Sequence, residues 1–158
     1  MSSSRRRQRV RDEAGYTTLV WLFLVFIPIA FLVIVPAGIE LAMRYNASVR
    51  FHNCVQMTAT GLRIWVAQNY PETSWAAVPV GTVTAQATAL YSQTLCGRNI
   101  GISGLRPAWR IVSVTSPGAG AYTVTVDQPY TSPRGPGWFT SATWRLSETG
   151  WAYQHPAA

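Results

Sequence analysis

Residues Tyr16 to Ile39 read YTTLVWLFLVFIPIAFLVIVPAGI, 24 positions without a formal charge. As a helix this run would be about 36 Å long, enough to cross a hydrocarbon core of about 30 Å. The preceding residues, 1–15, read as a short, unstructured polar tail with five arginines, Arg5, Arg6, Arg7, Arg9 and Arg11. In the 15 residues after the run there are two, Arg44 and Arg50. The excess of cation before the run predicts a single membrane anchor with its N-terminus in the cytoplasm and its C-terminal head outside. A removable signal peptide, ending near Val35-Pro36-Ala37, is the alternative. Its apolar core is ordinarily only about 7–15 residues long, shorter than this run.

Within the anchor, Pro28 and Pro36 each remove a backbone donor and free a carbonyl four residues back, at Leu24 and Leu32. A bilayer tolerates such interruptions when neighbouring helices satisfy the freed groups. The prolines are equally readable as packing points between helices or as bends in a solitary anchor. Gly38 adds a place for close helix approach. Glu40 closes the run. Its simpler reading is an interfacial carboxylate facing headgroups and water; set deeper, it would need a partner such as Arg44 one turn on.

The helical signal continues past the membrane. Residues 40–69 contain no proline, and Phe51, Val55, Thr58, Leu62 and Trp65 recur at helical spacing as one apolar stripe. Pro71 predicts the end. The chain therefore divides into a basic leader (1–15), a transmembrane helix (16–43), an amphipathic extension (44–70) and a β-rich head (71–158). In the head, Thr84 to Cys96 reads as a short helix stopped by Gly97, and Gly97 to Pro107 as a loop. Ala108 to Thr115 and Ala121 to Asp127 alternate and are rich in β-branched residues, with a turn at Ser116 to Gly120, so they read as a hairpin. Phe139 to Leu146 and Trp151 to Gln154 read as a second hairpin, turning at Ser147 to Gly150. The fold class is α+β: a long helix, membrane-embedded in its first half, packed in its second on a small antiparallel sheet.

The net charge of +7 is carried by arginine alone. The leader's arginines are accounted for by topology and those of the head are scattered, so the charge does not argue for nucleic acid. Cys54 and Cys96 both fall in the predicted outer region, where a disulfide is permitted. The other reading is two small buried thiols. Two cysteines and two histidines are too few to predict a structural zinc site. His52 and Cys54, two apart on a helix, point in different directions. No phosphate loop, zinc-protease or nucleophile-elbow sequence occurs, so neither catalysis nor a cofactor is expected.

A glycine followed by a long apolar helix, after a short basic leader, resembles a type IV prepilin. The finer pattern resembles the TadE-like pseudopilins: Gly15, then Pro28 within the run, then Gly38-Ile39-Glu40-Leu41 closing it. Tyr122-Thr-Val-Thr-Val126 followed by Pro129-Tyr130 is similar to a late strand of such proteins. The resemblance implies processing between Gly15 and Tyr16, a pilin-like fold and other membrane assembly subunits as partners. Prepilins place Glu at the fifth residue after the processed glycine. Here Val20 stands there, which points to an accessory subunit rather than a major one. The alternative from another class is a single-pass anchored module binding a surface ligand through aromatic residues of the loop Pro129 to Trp138.

Overall fold

The computed structural model describes residues 3–102, 104–118, 120–133 and 141–150. It divides into two compact units, Met1–Leu41 and Ala42–Ala158. One helix, α1 (Ser3–Asn69), belongs to both.

In the first unit α1 begins at Ser3, so the leader read as a polar tail is helical. Arginine is a good helix former, and neither proline nor glycine interrupts the chain before Gly15. The helix continues through Pro28 and Pro36. From Tyr16 to Ile39 the large apolar side chains are exposed. This is one helix long and apolar enough to span a membrane, and none of its most apolar stretch is buried in the protein.

The second unit opens with the rest of α1. Ala47, Phe51, Cys54, Val55, Thr58, Ala59, Leu62 and Val66 are buried, while Trp65 is half-buried. The stripe expected from spacing is therefore the inner face. α1 ends before Pro71, where Tyr70 N–H still donates to Val66 O at 2.9 Å. A 3₁₀ turn follows at Glu72–Ala77.

The next helix, α2 (Val80–Gln93), starts four residues earlier and stops three residues earlier than the pattern predicts. Pro79 sets the start: its carbonyl accepts from Thr82 and Val83 N–H. Thr94 sets the stop. Its hydroxyl donates to Tyr91 O at 2.7 Å and accepts from Gly97 N–H at 3.1 Å. Val83, Ala87 and Tyr91 are the buried face of α2, at i, i+4 and i+8.

Three strands, β1 (Arg110–Gly118), β2 (Ala121–Tyr130) and β3 (Ala142–Gly150), form an antiparallel sheet in the order β1-β2-β3. The expected first hairpin is present, but β1 runs on to Gly118, through most of the expected turn, and β2 runs on through Pro129 and Tyr130, where a loop was expected. The predicted turn at Ser147 to Gly150 is instead the end of β3. Ser147, Glu148, Thr149 and Gly150 pair with Thr125, Val124, Thr123 and Tyr122. Hydroxyl contacts hold this register, Thr125 with Ser147 at 2.8 Å and Thr123 with Thr149 at 2.7 Å. Trp151 to Gln154, read as a fourth strand, lies outside the described residues, as does the second half of the predicted binding loop, 134–138.

Along β2 the inner residues are Tyr122, Val124, Val126, Gln128 and Tyr130. They meet α1 and α2 in one core. Trp144 of β3 stacks on Tyr130 with ring centroids 4.5 Å apart and lies 6.4 Å from Phe51 of α1. Gly150 sits so close to α1 that a Cβ there would fall 2.3 Å from Ala59 O. At the other corner of the sheet Arg63 Nε donates to Gly120 O at 3.1 Å.

Candidate functional site

The residues singled out along the anchor lie on one unbroken helical segment. Gly15 and Tyr16 are both inside α1, and Tyr16 is exposed. Pro28, Pro36 and Gly38 are exposed as well, and a Cβ on Gly38 would meet no other part of the chain within 4 Å. Whatever Gly38 admits is not supplied by this chain's described residues. Glu40 is 4% exposed. Burial of a carboxylate is costly without compensating polar contact, so this position is specified by the fold rather than left to solvent. Arg44, one turn later, is half-buried.

Cys54 and Cys96 are joined, their sulfurs 2.07 Å apart, closing 42 residues of chain. The bond ties the middle of α1 to the turn that follows α2. That turn is held a second time by Gln128, which is fully buried. Gln128 Nε2 donates to Cys96 O at 3.2 Å and to Arg106 O at 3.1 Å, and its Oε1 accepts from Tyr91 O–H. Burial pushes the Tyr91 phenol well above its ordinary pKa, so it stays a donor. Sequence reasoning missed Gln128. The signal was its place in β2: period two puts a glutamine in line with Val124 and Val126, and an inward amide needs partners.

The outer face of the sheet carries a different cluster. Asp127 accepts from Arg145 Nε at 2.7 Å and Nη2 at 2.9 Å, and from Arg110 Nη2 at 3.0 Å and Nε at 3.2 Å. The Arg145 bonds first, and the Arg110 bonds with them, outweigh desolvation and hold the Asp127 carboxyl down at about 2. Beyond this triad the same face shows the hydroxyls of Thr123, Thr125, Ser147 and Thr149. Nearer α1, His52 Nδ1 lies 2.9 Å from Glu148 Oε1.

At the start of the second unit a cleft of about 170 Å³ is lined by Met43, Asn46, Ala47, Arg50, Gly101 and Ile102. Arg50 Nη1 donates across it to Gly101 O at 3.0 Å. Among the described residues no group of three or more His, Cys, Asp or Glu is placed to hold a metal ion. No protein-family model, curated protein or solved structure matches the chain.

Proposed function

We propose that this chain is an accessory subunit, minor pilin-like or TadE-like, of a pilus or type IV filament or secretion assembly. It is anchored by one membrane helix, with the leader in the cytoplasm and the head outside. The observation that carries this reading is α1. One helix supplies both an apolar segment of bilayer length and the buried stripe on which the head is built. The arginine-rich leader favours the orientation. The Cys54–Cys96 bond fits a compartment outside the cytoplasm. On this reading Pro28, Pro36 and Gly38, all exposed, meet the helices of other subunits.

Mass spectrometry of the native membrane protein tests it. The expected mature N-terminus is Tyr16, and in-membrane crosslinking yields adducts with other single-pass subunits. An intact Met1 with only monomer after crosslinking overturns the reading. The outer face of the sheet favours the second reading, an anchored binding module outside any filament. Hydroxyls beside two arginines suit a polar or anionic surface ligand.

A further inference from the structure

The sheet turns one face to the core, and its other face is ordered in polar rows. Period two sends Thr123, Thr125 and Asp127 of β2 outward, between inner Tyr122, Val124, Val126 and Gln128. The register puts Thr149 beside Thr123, Ser147 beside Thr125, and Arg110 and Arg145 on either side of Asp127. Rows lie about 6.7 Å apart along the strands, so the three span about 13 Å. No aromatic residue stands in them.

Each arginine spends only one edge on Asp127. All four bonds come from Nε and Nη2. That is the side edge of a guanidinium; the end edge, Nη1 with the second hydrogen of Nη2, is left over on both. Among the described residues nothing else bonds either arginine, and their side chains are 72% and 61% exposed. One bidentate arginine already satisfies and neutralises a carboxylate, so the second exceeds what Asp127 needs. The row keeps one surplus positive charge. The other acids of the head stand apart from it. Glu72 is in the 3₁₀ turn, and Glu148, opposite Val124, meets His52 on the α1 side.

The hydroxyl rows offer both hydrogen-bonding roles. Thr125 and Ser147 share one proton across the strands at 2.8 Å, and Thr123 and Thr149 another at 2.7 Å. In each pair the accepting hydroxyl keeps its own proton, and both keep lone pairs. Regular donors and acceptors beside a surplus single charge suit a ligand rich in hydroxyls with one negative charge per unit. Nucleic acid fits less well, since it asks for aromatic platforms or many phosphate contacts. A neutral glycan would leave both free arginine edges unused.

We propose that the outer face of the sheet binds an acidic polysaccharide. A uronate carboxylate is held by the free edges of Arg110 and Arg145, and neighbouring sugar hydroxyls lie on the row of Thr125 and Ser147. The inference rests on the second reading above, of this face as a ligand surface, and names the ligand class.

The test titrates the full chain, in micelles of an uncharged, sugar-free detergent, by calorimetry. The probes are oligogalacturonate, oligomannuronate, their methyl esters and oligoglutamate. A uronate is expected to bind, with its ester at least about tenfold weaker. Arg110→Gln should erase that margin without lowering the melting of the head, because Asp127 keeps Arg145. Thr125→Val/Ser147→Ala should weaken the uronate roughly fivefold and preserve the margin. Oligoglutamate binding as tightly as the uronates would make the ligand an acidic peptide, overturning the polysaccharide while the ligand surface stands. A margin unchanged in Arg110→Gln overturns the site. Binding of neither uronate nor glutamate overturns the inference and the ligand-surface reading together.

Discussion

The two halves of α1 share a backbone and differ in what surrounds them. From Tyr16 to Ile39 large aliphatic and aromatic side chains point outward all the way round. From Ala47 to Val66 one face is buried, and the opposite face mixes Asn53, Gln56 and Thr60 with exposed Met57 and Ile64. A helix apolar on every side has no single face to turn to a core, which suits a lipid surround; a helix apolar on one side has a partner in its own chain. Helicity alone does not distinguish them. The angular distribution of apolar residues does.

If that contrast is right, the stability of the two halves is separable. The largest expected effect is on the disulfide. Replacing Cys54 and Cys96 by serine opens a 42-residue loop and should cost the head about 4 kcal/mol. In detergent micelles the near-ultraviolet circular dichroism of the head should melt far earlier, while the helical signal of the anchor persists. A single unchanged transition would mean that the two halves unfold together.

Next is a pair of positions two residues apart. Leu62 is fully buried and Ile64 is 53% exposed. Leu62→Ala should cost about 3 kcal/mol through lost burial and a cavity. Ile64→Ala should cost less than about 0.5 kcal/mol. Denaturant midpoints of the two variants measure the difference. Equal losses would show that the inner face of α1 has been drawn wrongly.

How far the sequence anticipated this depends on which physics sets each feature. The stripe Phe51, Val55, Thr58 and Leu62, the stop before Pro71 and the first hairpin follow from local periodicity and backbone chemistry, and all were readable. The helical leader was not, because five arginines read as a solvated tail even though each favours helix. Ser147 to Gly150 has the composition of a turn. What overrides it is non-local: cross-strand hydroxyls, and a glycine fitted against the backbone of Ala59. The bonds of Gln128 to Tyr91, Cys96 and Arg106 are likewise set by distant chain, which no window of neighbouring residues contains.

The two glycines test that point at smaller scale. Gly150 abuts α1 backbone, whereas Gly38 faces open space. Gly150→Ala forces backbone to shift and should cost about 1–3 kcal/mol. Gly38→Leu should leave the melting of the head unchanged. On the proposed function it should instead reduce crosslinking to other subunits, because a bulky residue blocks close helix approach. A Gly38→Leu chain that crosslinks as before removes Gly38 from the assembly surface without disturbing the fold.

The smallest effect concerns Asp127, on the face of the sheet turned away from α1. Its folded pKa is about 2, below the ordinary carboxylate value. A carboxyl depressed on folding stabilises the native state above its unfolded pKa, about 3.9, and loses that contribution as pH falls through the folded value. The head should therefore lose stability between about pH 4 and pH 2, and Asp127→Asn should flatten that limb. The loss is modest because Arg110 and Arg145 are largely exposed and screened by water and salt. Raising the salt concentration should shrink it further, while leaving the cost of Leu62→Ala unchanged, since burial of apolar surface has no charge to screen. An acid limb of the same slope in Asp127→Asn would assign it to another carboxylate.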